Sequence, residues 1–248
     1  AWTTTPWTLS SNTALCVGPN ITYVAVQSYN PYTGKPATYV LAKDLVNAHF
    51  NPKAAELALE DYKEGDKLIP YKVIAEYKGT DLVGMKYEQL FDWITPENAD
   101  QAFRVIPGDY VTTEDGTGIV HIAPTFGADD AKVAKAAGIP PLQLVDKFGN
   151  LRPSVDLTGK FYLLSDLDAD FVKSRINVEA YKKFEGRFVK NAYDPNLTDK
   201  DETLDISICM DMKVTDKAFK IEKHVHTYPR MPLNLSPDYI LYLVANRH

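Results

Sequence analysis

Short runs of β-branched and aromatic residues, each cut off by glycine or proline, recur along most of the chain and leave little room for long helices. Ile21–Ser28, Ala37–Leu41, Leu68–Tyr77, Phe103–Thr113, Ile119–Ala123, Leu142–Val145, Arg187–Ala192, Leu204–Val214 and Ala218–His226 read as strands, because such side chains pack well on a pleated surface. Glu114-Asp115-Gly116-Thr117-Gly118 and Lys147-Phe148-Gly149-Asn150 read as hairpin turns, glycine supplying the positive φ they require. Helical periodicity is confined to Lys53–Lys63, to Ala128–Ala137 closed by Gly138 and Pro140, and to Asp166–Phe184 with its stripe of Leu167, Phe171, Val172, Val178 and Tyr181. The pattern predicts a β-rich α+β fold, barrel-like, with a few interspersed helices.

The 248 residues allow one large domain or two small ones. At 45% hydrophobic and 24% charged, the chain has the composition of a packed globule, which excludes a disordered or low-complexity function. Its 27 basic and 33 acidic residues give −6. A surface built as a whole to hold polyanions is therefore excluded, and a nucleic-acid partner would need a local patch or another part of a larger protein. Cys16 and Cys209 stand far apart with no ligand-type residue at metal spacing, so neither a disulfide framework nor a zinc cluster is expected. The longest apolar run, Tyr239–Ala245, is far short of the roughly 18 residues a membrane helix needs. Ala1–Thr5 has neither the basic nor the apolar region of a secretory signal. These features predict an intracellular, cytoplasmic protein, and the start on a β-prone segment without Met is expected of a piece of a longer chain.

The P-loop, the dinucleotide glycine fingerprint, the nucleophile elbow and the His-Glu-x-x-His zinc helix are all missing from the sequence. Two segments stand out instead. Trp2-Thr3-Thr4-Thr5-Pro6-Trp7-Thr8-Leu9-Ser10-Ser11-Asn12 offers consecutive hydroxyls on an extended stretch, where one set can face a polar ligand; a solvated strand face would look the same. In Gly116-Thr117-Gly118-Ile119-Val120-His121-Ile122-Ala123-Pro124-Thr125-Phe126-Gly127-Ala128-Asp129-Asp130, alternation puts Ile119, His121 and Ala123 on one strand face. The strand then breaks and Asp129-Asp130 fall in the first turn of a helix, bringing a ring and a carboxylate together. A core histidine and a dipole-complementing acidic pair would fit the same residues.

Taken together, Thr-Thr-Thr-Pro-Trp-Thr-Leu-x-x-Asn followed by Gly-Thr-Gly-x-Val-His-x-Ala-Pro-x-x-Gly-x-Asp-Asp resembles the editing (connective polypeptide) domain of isoleucyl-tRNA synthetase, a class I aminoacyl-tRNA synthetase. The valyl and leucyl relatives carry Thr-Thr-Arg-Pro in the first motif, where Thr5 stands here. The resemblance extends through Lys220-Ile221-Glu222-Lys223-His224-Val225-His226-Thr227-Tyr228-Pro229, implying an editing domain over residues 1–230. The family continues with Cys-Trp-Arg, whereas this chain has Arg230-Met231-Pro232-Leu233, leaving 231–248 as a C-terminal tail with no assigned role. Neither His-Ile-Gly-His nor Lys-Met-Ser-Lys-Ser is present, so the synthetic site of the parent ligase is not expected in this chain.

The resemblance implies an aminoacyl-tRNA ester hydrolase that removes valine misattached to isoleucine tRNA, with hydrolysis of valyl-adenylate left open. It implies that Thr3, Thr4 and Thr5 bind the adenosine or aminoacyl end and help place a water. Asp130 would bind the substrate α-ammonium, Trp2 and His121 would wall the side-chain pocket, and Asn12 would support the threonine segment. No cofactor or metal is implied; the partners would be the tRNA acceptor end and the rest of the parent synthetase, in a monomer without membrane association. Basic residues Lys213, Lys217, Lys220, Lys223 and Arg230 are candidates for phosphate contacts. The alternatives are a non-catalytic module that binds the acceptor end or a partner protein, and a valyl- or leucyl-type specificity.

Overall fold

The computed structural model describes residues 1–3, 6–31 and 34–189, together with the backbone of four later strands; the side chains of residues 2–7 lie outside the description. In chain order the strands are β1 (Trp2–Thr3), β2 (Ala14–Val17), β3 (Thr22–Tyr29), β4 (Pro36–Ala42), β5 (Lys72–Lys78), β6 (Arg104–Pro107), β7 (Ile119–Ile122), β8 (Leu144–Val145), β9 (Leu151–Arg152), β10 (Met210–Thr215), β11 (Ala218–Lys223), β12 (Tyr239–Ile240) and β13 (Tyr242–Ala245). The helices are α1 (Val46–His49), α2 (Gly79–Leu82), α3 (Ala128–Ala136), α4 (Ala169–Arg175) and α5 (Val178–Tyr181). The β-rich α+β architecture is the one expected.

A six-stranded sheet runs β11-β10-β13-β4-β3-β5, and a three-stranded sheet runs β6-β2-β7. The two enclose one core, in which Leu15, Val17, Val105 and Ile119 of the smaller sheet join Val24, Val26, Tyr39 and Leu41 of the larger. The other face of β2, Ala14 and Cys16, packs with Ile106, Ile122 and Ala134 of α3. Strand β2 is thus buried on both faces, which explains its unbroken apolar Ala-Leu-Cys-Val. A second cluster gathers Trp93, Leu142, Leu144, Phe161, Phe171 and Tyr181; the Trp93 indole stacks on Phe91 at 4.6 Å and meets Phe184 edge-on at 4.0 Å between ring centroids.

Several local expectations are corrected. The loop ending at Gly118 joins no hairpin: β6 pairs with β2 in parallel and β7 pairs with it antiparallel, so the connection carries the chain across β2. The Lys147–Asn150 turn does close a hairpin, between β8 and β9. The helix expected over Lys53–Lys63 is two 3-10 turns, Pro52–Ala54 and Leu59–Asp61; Leu57 is 40% exposed, so no buried stripe holds a helix together. Asp166–Phe184 is split, because Ile176 bridges Ile94 while the Asn177 N–H donates to Trp93 O. New helices start on either side of that break, with Asp168 accepting from Phe171 N and Asn177 Oδ1 from Ala180 N. The strand expected over Arg187–Ala192 appears, among the described residues, only as a bridge between Lys160 and Phe188. Within 231–248, β12 pairs with β1 and β13 lies between β10 and β4.

Candidate functional site

Strand β7 places the second motif. Its register against β2 sets His121 opposite Leu15 and Ile122 opposite Ala14. The loop ahead of it docks on the larger sheet: Tyr23 OH donates to Gly118 O at 2.6 Å, Ala42 N–H to Thr117 O at 2.9 Å, and His49 Nε2 to Gly116 O at 2.6 Å. Gly118 has φ +70, and a Cβ there would stand 2.6 Å from the Ala42 Cβ. Only glycine meets both demands, which accounts for the second glycine of Gly-Thr-Gly.

His121 is 7% exposed, and its Nε2 is hydrogen-bonded to Thr8 Oγ1 at 3.0 Å. Its Nδ1 has no hydrogen-bond partner among the described residues. Burial pushes its pKa down to about 4. The ring is therefore neutral at physiological pH. A short strand-to-helix link follows, and α3 begins after Gly127 with Asp129 and Asp130 in its first turn. Asp129 is exposed. The half-buried Asp130 instead turns back, its Oδ2 accepting the Ala123 N–H at 2.8 Å. Burial pushes the Asp130 carboxyl upward; the Ala123 N–H opposes this and the Asp129 charge adds to it. Oδ1 has no protein partner among the described residues, so one carboxylate oxygen is fixed by the backbone and the other carries no protein hydrogen bond.

The first motif returns to the same place. Pro6–Ser11 forms a 3-10 turn, and Asn12 N–H donates to Leu9 O at 3.1 Å. Asn12 is 2% exposed, donating through Nδ2 to Ala14 O at 2.9 Å and accepting at Oδ1 from Tyr87 OH at 2.6 Å. The adjoining Thr13 is tied to both neighbouring strands: its N–H donates to Ile122 O at 3.0 Å, and its carbonyl accepts from Phe103 N–H at 2.7 Å. Phe103 has φ +56; a bulky residue in this region costs about 1–2 kcal/mol, and the bonds to Thr13 and Tyr87 hold it there.

The structure therefore brings His121, Asp130 and Asn12 to one end of the β2/β7 pair. Trp2 and Thr3 lie on β1, described by backbone alone, and Thr4 and Thr5 lie outside the described residues, as do Lys217 and Arg230. Thr8 and Tyr87 were not singled out by the sequence. Thr8 shares the motif with the threonines and could have been weighed with them, whereas nothing local to Tyr87 signals Asn12. Among the described residues no group of three His, Cys, Asp or Glu could hold a metal, and no helix is long and apolar enough to cross a membrane.

No family model matches the chain. Curated relatives do. An isoleucine–tRNA ligase of Bacteroides fragilis is 78% identical over 229 residues, 92% of this chain and 20% of that protein. Isoleucine–tRNA ligases of Bacteroides thetaiotaomicron and Porphyromonas gingivalis are 62% and 58% identical, again over 92% of this chain, and over 21% and 20% of theirs. The solved crystal structure of GlLeuRS-CP1 overlaps 76% of this chain and 74% of its own at 18% identity and a TM-score of 0.34, a likeness too distant to carry an argument. The residues are those of an aminoacyl-tRNA ligase segment. Specifically, the chain belongs to the isoleucine–tRNA ligase family and spans about a fifth of the length of the relatives it matches.

Proposed function

We propose that this segment hydrolyses valine from mischarged isoleucine tRNA, residues 1–230 forming the hydrolytic unit. One methylene in an apolar pocket discriminates by only about 1–3 kcal/mol, the known limit for this very pair of amino acids. A ligase that must reject valine therefore needs a second site that admits valine and excludes isoleucine. The observation that carries the reading is Asp130, anchored through Oδ2 on Ala123 N–H with Oδ1 open, in the first turn of the helix that follows the strand of the buried neutral His121.

An α-ammonium against Oδ1 favours the charged carboxylate that burial opposes, a charge-assisted contact that orients the aminoacyl group. The side chain then meets His121, held by Thr8, as an apolar wall. Thr3, Thr4 and Thr5 hydrogen-bond the adenosine end and help place the attacking water, with the neighbouring ribose hydroxyl assisting. Asn12 braces that segment through Tyr87. Catalysis is chiefly orientation of water against the ester carbonyl. A cytoplasmic location and the remainder of the synthetase as partner go with this reading.

The test is deacylation by the full chain of isoleucine tRNA charged with valine or with isoleucine. Hydrolysis of the valyl ester, with the isoleucyl ester left largely intact, is expected. Equal rates would overturn the specificity, and no rate above buffer on either would favour a non-catalytic acceptor-end module.

A further inference from the structure

Three serines that the proposed chemistry does not use are buried together. Ser154 and Ser11 are 0% exposed and Ser10 is 4% exposed. Ser11 Oγ donates to Ser154 Oγ at 2.9 Å, and Ser10 Oγ lies 3.2 Å from the same oxygen. Buried hydroxyls cost free energy unless paired, and an apolar residue would fill such a space without that cost. What a hydroxyl pair adds is direction: it fixes how two segments face each other, where apolar contact leaves them free to slide.

Both ends of this link are held. Ser154 follows the β8/β9 hairpin, inside which Asp146 Oδ1 accepts from Phe148 N and Asn150 N, both at 2.9 Å, while Oδ2 accepts from Arg152 Nε at 2.8 Å. On its other side Val155 bridges Phe161. Ser10 and Ser11 close the 3-10 turn that begins at Pro6, directly after Thr5 in the chain, and Asn12 beyond it is locked by Tyr87. The hairpin is thus a rigid post against the turn that carries the first motif.

We propose that Ser154 is a positioning residue for the threonine segment, acting through Ser11 and Ser10 to hold the turn at one orientation against β7. For its catalytic consequence the inference rests on the editing reading above; the brace itself does not. Ser154→Ala should leave KM for valine-charged tRNA within about twofold and lower kcat by about 10- to 100-fold, as misplacement of about 1 Å can cost 10². Ser11→Ala should show the same split, and the double variant should lose no more than the worse single, since both remove one link. Ser154→Cys, of similar shape and with a sulfur that accepts weakly from Ser11, should recover part of the rate. Independently of activity, exchange of the Asn12 amide, bonded to Leu9 O, should quicken about tenfold in Ser154→Ala while the Ile122 amide in β7 keeps its protection. An unchanged kcat, multiplying losses in the double variant, or a rate loss that merely tracks a fall in Tm would overturn the positioning role. If the wild type hydrolyses neither ester, the editing reading fails, and the Asn12 exchange alone decides the brace, unchanged protection overturning it.

Discussion

Replacing Asp130 separates the two things its carboxylate does. Oδ2 is the acceptor for the Ala123 N–H, on a residue with 0% exposure, while Oδ1 is free of protein partners among the described residues. Asp130→Asn keeps an acceptor for that N–H and removes the charge; Asp130→Ala removes both. A hydrogen bond to a charged group is worth about 1.5–3 kcal/mol, so loss of the ammonium contact predicts a fall in kcat/KM of about 10- to 150-fold in either variant. Stability should split them. Leaving the Ala123 N–H buried without a partner costs about 1–3 kcal/mol, which for a chain of this size lowers Tm by roughly 2–12 °C in Asp130→Ala. Asp130→Asn should melt no lower than wild type at pH 7: burial raises the folded carboxyl's pKa, so its ionisation is a cost to the folded state that appears as pH rises, and the amide removes it. The assay pairs deacylation of valine-charged isoleucine tRNA with thermal melts of both variants and of Asp129→Ala, whose side chain is exposed. Full activity in Asp130→Asn would refute the ammonium role, and equal melting of the Asn and Ala variants would refute the anchoring role.

His121→Ala should raise hydrolysis of isoleucine-charged relative to valine-charged tRNA, because a wall has been removed; a constant ratio with both rates reduced would indicate proton transfer instead. With its pKa down at about 4, His121 keeps one charge state from pH 5.5 to 8, so the deacylation rate should show no inflection near 6.5, which a plain pH profile checks. The same shift makes the fold lose about 3 kcal/mol as pH falls from 6.5 to 4, since only the unfolded ring takes up a proton there; the His121→Gln variant should lose that part of its acid sensitivity in urea titrations. Gly118→Ala should cost at least about 1–3 kcal/mol through the close Ala42 contact, and more from its positive φ, seen as a lowered urea midpoint.

How far the sequence reached depends on the range of the interactions involved. The strand at Ile119 and the helix after Gly127 were legible because their signals are local: alternation, a glycine entry, and Gly138 at φ +67 as the exit. The split of the Asp166–Phe184 stretch was not, since its cause is Trp93 and Ile94 pulling residues 176 and 177 into extended pairing. The supposed Gly118 hairpin failed for a related reason: that β2 takes the place between β6 and β7 is decided by which faces need burying, not by the turn. At the candidate site, His121 and Asp130 share one motif, and it is the resemblance that motif carries, not spacing alone, that singles them out. Tyr87 and Ser154 carry no such mark, because a tyrosine or serine in a loop gains meaning only from the distant side chain it meets.

The ladder between β2 and β7 joins two strands about a hundred residues apart in the chain, and the stretch between them supplies β3, β4 and β5 of the larger sheet and β6 on the other side of β2. Strand pairing and side-chain contacts, not the continuity of every exposed turn between them, hold the two motifs in place. At Gly65, φ is +94 and nothing stands within 4 Å of where a side chain would begin. The backbone cut there would yield two fragments, each bearing one motif and each supplying strands that the other must pair. Such fragments are complementary halves by construction, and their reassembly would restore the site only when both are present, the property required of a split reporter.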